Sequence, residues 1–148
     1  MRILLVNKFH YRKGGAETYY LTVGSELERM GHEVAYFSMR HPDNLPCKWN
    51  KYFVTQREYN NVKNPLQAAR DGMALIYSPE AKRNFQALCE EFRPDVVHLN
   101  NVHRQITLSI LDAPYLRDNG VPVFYTAHDY VTVCPGYLML DGDGRVCD

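Results

Sequence analysis

Apolar positions along the chain alternate between two periodicities. Short apolar runs at Arg2–Val6, Glu33–Ser38, Asp95–Leu99 and Pro122–Thr126 predict β-strands. Ile3-Leu4-Leu5-Val6 is apolar without alternation, the pattern of a strand buried on both faces of a parallel sheet. Between the first two runs, Tyr19, Tyr20, Val23, Leu27 and Met30 recur at helical spacing. They predict a helix over Ala16–Met30, stopped by Gly31 just past its end. Ser78-Pro79-Glu80 reads as an N-cap with proline at the first helical position. The helix it starts runs through Phe85, Leu88 and Cys89 to Phe92, and Pro94 closes it. Ile106–Leu116 is a third apolar-periodic segment, ended near Asn119-Gly120. Strands alternating with helices imply right-handed crossovers, and hence an α/β, Rossmann-like parallel sheet with helices on both faces.

Two stretches break the rhythm. Arg40–Asn64 carries Pro42, Pro46, Trp49, Tyr52, Phe53 and several lysines, and reads as a long excursion with a short strand at Tyr52–Thr55. His128–Asp148 reads as loop, with turns at Pro135-Gly136 and Asp141-Gly142-Asp143-Gly144. A parallel sheet rarely finishes on a long uncovered loop. The expectation is a single, truncated Rossmann-like domain over residues 1–148, with further strands following in the natural protein.

Composition narrows the function. Lysine plus arginine and aspartate plus glutamate number 17 each, which argues against general nucleic-acid binding. No apolar run is long enough for a signal core or a membrane span, so a cytoplasmic protein is expected. Aromatic and basic residues mix at Trp49, Tyr52, Phe53, Lys48, Lys51 and Arg57. That mixture suits either peripheral contact with the inner face of a membrane or an ordinary loop with buried aromatics. Cys47, Cys89, Cys134 and Cys147 form no dense framework and read as thiols in a reducing compartment. Cys134 and Cys147 alone, thirteen apart, are a weak metal or disulfide signal.

Candidate chemistry gathers at the predicted carboxyl ends of the strands, where open α/β sheets bind ligands. After the first strand, Gly14-Gly15 opens a helix, whose N-terminal N–H groups and dipole attract phosphate. Lys8, Arg12 and Lys13 add charge there, and Glu17 complements the dipole. After the fourth strand comes Thr126-Ala127-His128-Asp129. His128 suits a sugar hydroxyl or a proton transfer, with Asp129 setting its tautomer. After the third strand come His98, Asn100, Asn101 and His103, whose imidazole and amide groups suit hydroxyl recognition. His98, inside the strand, also fits a core histidine, and the asparagines also fit helix caps. A metal site at His98 and His103 lacks a matching carboxylate, so no metal is expected.

RILLVN at the start, KGGAE at the glycine turn, GHEVAYFS, PDVVHLNN and PVFYTAHDY occur in an order and spacing that resemble the N-terminal half of a retaining GT-B glycosyltransferase of the family-four type. The run from Cys134-Pro135 to Cys147 is similar to members of the same group. The resemblance covers almost the whole chain. It implies a hexosyltransferase-type enzyme of polysaccharide biosynthesis that uses a nucleotide-sugar donor and a glycan or lipid-linked acceptor, with no cofactor and no metal. It implies that this half holds the acceptor and that an absent C-terminal domain holds most of the donor nucleotide. The Glu-x7-Glu motif of that second domain has no counterpart here, so this chain alone is expected to be inactive. By the same resemblance, Gly14 and Gly15 approach the donor diphosphate, and His128 is the catalytic-site histidine that contacts the donor sugar. His98, Asn100, Asn101, His103 and Asp129 then fall on the acceptor-side cleft.

Two other classes remain as alternatives. An NADP-type oxidoreductase would need Gly-x-Gly-x-x-Gly after the first strand; the chain has Lys13-Gly14-Gly15-Ala16-Glu17-Thr18, and only Arg40 after the second strand fits an NADP phosphate. A non-catalytic binding module would use an exposed sheet edge to pair with a partner.

Overall fold

The computed structural model describes residues 1–57, 72–134 and 136–147. Four parallel strands, β1 (Arg2–Val6), β2 (Glu33–Phe37), β3 (Val96–Leu99) and β4 (Val123–Tyr125), form one sheet in the order β2-β1-β3-β4. Leu5 of β1 stands opposite Tyr36 on one side and His98 on the other, which fixes the register. The chain leaves β1 for one neighbour and later returns to pair with β1 from the other side. The sheet therefore has its topological switch point between β1 and β3.

Alternation along β1 divides the core into two layers. Ile3 and Leu5 face helix α1 (Gly15–Arg29), where Tyr20 is fully buried. Leu4 and Val6 face the other way, into a larger cluster with helix α2 (Pro79–Phe92). There Phe85 meets Phe37 edge-on at 5.4 Å. Two glycines fix α1 on the sheet. Gly31 turns the chain out of the helix at φ +85°, a left-handed conformation that costs a side-chain-bearing residue. Gly24 admits the Tyr36 ring, whose hydroxyl would lie 2.4 Å from a Cβ placed there. Helix α2 begins as its sequence signals: the Ser78 side chain accepts the Ala81 N–H at 3.2 Å, and Pro79 holds the first position.

Two expectations are corrected. Ile106–Leu116 is not one helix but a 3₁₀ segment (Leu108–Asp112) followed by the short helix α3 (Pro114–Asp118). Pro114 cannot donate to the preceding turn, so the helix restarts there. Tyr52–Thr55 is not a strand: a 3₁₀ turn (Asn50–Tyr52) precedes one isolated bridge between Met39 and Val54. Trp49 and Phe53 are buried in the core, while Tyr52 stays partly exposed. Lys51 and Tyr52 tie this excursion to α2 by hydrogen bonds to Glu91. Its end, residues 58–64, lies outside the described residues, as does Pro135 of the Pro135-Gly136 turn. The tail contains a small hairpin bridged at Leu140 and Val146, with Asp141 Oδ1 accepting the N–H groups of Asp143 and Arg145. No helix among the described residues is long and apolar enough to cross a membrane.

Candidate functional site

The loops leaving β1 and β3 are laced together at the switch point. Lys8 donates its N–H to the Asn101 carbonyl at 2.7 Å, and Asn101 donates its N–H to Asn7 Oδ1 at 3.0 Å. Asn100 donates its N–H to the Val6 carbonyl at 2.8 Å. Asn7 and Asn100 are both buried, so these amides are structural ties as much as binding groups. The β1 loop is anchored a second time where buried His10 pairs through Nδ1 with the Tyr20 hydroxyl at 3.0 Å. Burial pushes the His10 pKa down to about 4, which keeps the ring neutral.

The sequence-derived candidates separate into two groups on either side of this seam. The first lies on the α1 side. His128 Nε2 is 3.0 Å from Asn100 Oδ1, and Tyr19 of α1 stands edge-on to the imidazole at 5.2 Å. The Asn100 amide nitrogen points to the Val6 carbonyl, so its oxygen faces His128 and requires the proton on Nε2. In the neutral ring Nδ1 is then an acceptor, and no partner holds it among the described residues. Asp129 does not set this tautomer, contrary to expectation: its Oδ1 accepts the Val131 N–H at 3.1 Å in a local turn. His98 shares a hydrogen bond with Thr126 at 2.7 Å, and burial, then the neighbouring His128, lower its pKa. Its part is that of a neutral strand histidine backing His128.

The second group lines an open cleft of about 540 Å³, within the usual range for ligand pockets. Lys8, Asn101, His103, Arg104 and Asp129 converge there from the loops after β1, β3 and β4. Lys8 is half-buried, and burial lowers its pKa, only partly offset by the Glu17 charge. Burial likewise lowers the pKa of His103, whose Nε2 meets the Tyr125 hydroxyl at 3.0 Å. The Asn101 side-chain oxygen is buried with no hydrogen-bond partner among the described residues, leaving an acceptor that a ligand hydroxyl can satisfy. The loop carrying these groups is strained: Arg104 has φ 68°, and Thr107 has φ 66° and ψ 166°, a region costly for a β-branched residue.

Gly14 and Gly15 sit at the start of α1, Gly14 as an extended N-cap. Neither needs positive φ, and a Cβ on Gly15 would meet nothing within 4 Å. The backbone does not demand glycine here; the effect of Gly15 is to leave the helix N-terminus bare. Sequence reasoning gave Lys8 only a supporting role and placed Tyr19 among the helix apolar positions. It passed over Arg104 and Thr107, although Lys8, two residues past the β1 carboxyl end, was a readable signal. Arg40, the residue that left an NADP site open, donates from Nε to the Phe53 carbonyl at 3.1 Å and is committed to holding the excursion. Among the described residues, no group of three or more His, Cys, Asp or Glu side chains is placed to hold a metal ion.

Residues 13–142 match the family model Glycosyltransferase Family 4. An uncharacterized 42.6 kDa protein in the cps region of Klebsiella pneumoniae is 25% identical over 146 residues, covering 91% of this chain and 38% of that protein. In fold, the chain is similar to the apo form of the lipopolysaccharide outer core galactosyltransferase WaaB, with TM-score 0.53 and 20% identity, over 95% of this chain and 38% of that one. The chain thus spans about two-fifths of the length of these relatives.

Proposed function

We propose, from the premise that this chain belongs to Glycosyltransferase Family 4, that it is the acceptor-side domain of an enzyme moving a sugar from a nucleotide sugar to a glycan or lipid-linked acceptor with retention. The rest of such an enzyme supplies most of the donor nucleotide site, so the chain alone is inactive. The observation that carries this reading is the convergence of His128, Asn100, Asn101 and Lys8 on the switch point of a Rossmann-like sheet. The cps and lipopolysaccharide names of the relatives support a role in polysaccharide synthesis.

In this mechanism the bare N-terminus of α1 faces the departing diphosphate, whose developing charge its N–H groups stabilise. His128, held by Asn100 and Tyr19, accepts a hydrogen bond from a donor-sugar hydroxyl at Nδ1 and orients the ring. The acceptor enters by the Lys8–Asp129 cleft, where the Asn101 oxygen receives one of its hydroxyls. The acceptor proton passes to the leaving phosphate, so no side chain is assigned as general base. No cofactor or metal is invoked.

The test is Gly15→Trp in the two-domain enzyme. A side chain there enters open space rather than the core. Sugar transfer should fall at least about tenfold while the urea midpoint holds, as expected when phosphate access is blocked. Transfer at the wild-type rate removes the donor role from this turn.

A further inference from the structure

The tail holds a cluster that sugar transfer does not use. Cys134 is partly exposed, and its sulfur accepts backbone N–H groups from Met139, Gly136, Leu138 and Tyr137. Tyr137 and Met139 lie at φ 53° and 55°, left-handed on either side of Leu138. That alternation turns successive N–H groups to one side and makes a nest for an anion. A thiolate rewards such a ring of donors; a neutral thiol, a weak acceptor, does not offset two strained residues. Cys147 arrives at the same place from the other arm of the hairpin. Its N–H donates to the Met139 carbonyl at 2.8 Å, next to the bridge between Leu140 and Val146. Both cysteines thus meet at Met139. The other two thiols are set apart from such chemistry. Burial raises the pKa of Cys47 and pushes that of Cys89 up to about 12, whereas the N–H groups, led by that of Met139, lower that of Cys134.

We propose that Cys134 and Cys147 are a redox pair, in which hydrogen peroxide oxidises the Cys134 sulfur and the Cys147 thiol resolves it into a disulfide. The Cys134 thiolate attacks one peroxide oxygen; an S–O bond forms as the O–O bond breaks. The sulfur is oxidised to a sulfenic acid, and the peroxide is reduced and leaves as water. The Cys147 sulfur then attacks Cys134. The S–S bond forms, the S–O bond breaks, and the hydroxide leaves as water with the Cys147 proton. Oxidation removes the negative charge that the nest holds. The disulfide closes a loop that contains Tyr137, which lines the cleft beside Lys8 and Asn101. The state of the pair is thereby passed to the wall of the cleft. None of this chemistry requires a sugar donor or acceptor.

The reduced 148-residue chain is treated with hydrogen peroxide, its remaining thiols are blocked, and its peptides are mapped by mass spectrometry. Trypsin cleaves after Arg145, so a bond between Cys134 and Cys147 joins two separate peptides. That linked pair should be the main oxidised product, formed within one chain, while Cys89 stays reduced. Cys147→Ser should stop at a sulfenic acid on Cys134 that dimedone captures. Cys134→Ser should consume peroxide at least about tenfold more slowly than wild type, because the sulfur held by the backbone N–H groups is gone. Equal rates in the two serine variants would overturn the proposal. So would a disulfide formed only between chains, a main product through Cys47 or Cys89, or thiols that react only after a chelator strips a bound metal. The wild-type map needs no variant, so the pairing is decided even where a substitution fails to fold.

Discussion

Acid should loosen the loop that floors the site before it unfolds a protein with no such histidine. His10 is 3% exposed, packs against Tyr20, Tyr36 and Phe53, and has its pKa pushed down to about 4 by burial alone. In the unfolded chain the ring takes a proton near pH 6.5. The unfolded state therefore binds more protons between these values, and stability must fall as pH drops through that window. The contribution is essentially complete above the unfolded pKa. The loss reaches about 2 kcal/mol at pH 5 and tends to roughly 3 kcal/mol below pH 4. The perturbation is His10→Gln, which can still meet the Tyr20 hydroxyl but does not titrate. Urea unfolding followed by the fluorescence of Trp49 at pH 7.5 and pH 5.0 gives the two slopes. Wild type should lose about 2 kcal/mol more than the variant between those pH values. Parallel losses would mean that His10 is protonated in the fold or that water reaches it, and the burial argument would be wrong.

Two further outcomes follow from packing and exposure. Gly24→Ala should destabilise the fold by about 1–3 kcal/mol, because a Cβ would meet the Tyr36 hydroxyl at 2.4 Å and push it off Glu28. Gly15→Ala, open on every side, should shift stability by less than about 1 kcal/mol; equal effects in thermal unfolding would contradict this contrast. Iodoacetamide at neutral pH should label Cys134 well before Cys89. Backbone N–H groups, led by that of Met139, lower the Cys134 thiol pKa, whereas burial pushes Cys89 up to about 12. Peptide mapping that finds Cys89 labelled first would refute it.

Much of the scaffold was legible because its signals are local. The strand runs land within a residue of the observed strands, and Ser78-Pro79 and Gly31 mark real helix ends. The segment at Ile106–Leu116 misled because apolar spacing outweighed one proline, and Pro114 decides the backbone there. The aromatics at Trp49 and Phe53 could not be placed from sequence, since Trp49 packs on Phe92 of α2 and Phe53 on His10, each some forty residues away. At the site, strand ends told which residues would gather but not which would pair. Asn100 rather than Asp129 holds His128, because Asp129 is closer to its own turn than to the ring.

The most direct test of the proposed site is His128→Ala in the two-domain enzyme, with sugar transfer and urea midpoint measured on the same preparations. Nδ1 of His128 makes no hydrogen bond among the described residues, and Nε2 makes one. Stability should fall by only about 1 kcal/mol, while transfer should fall at least about a hundredfold. A variant that transfers sugar normally, or whose activity falls only as far as its stability does, would contradict a donor-orienting histidine at the switch point.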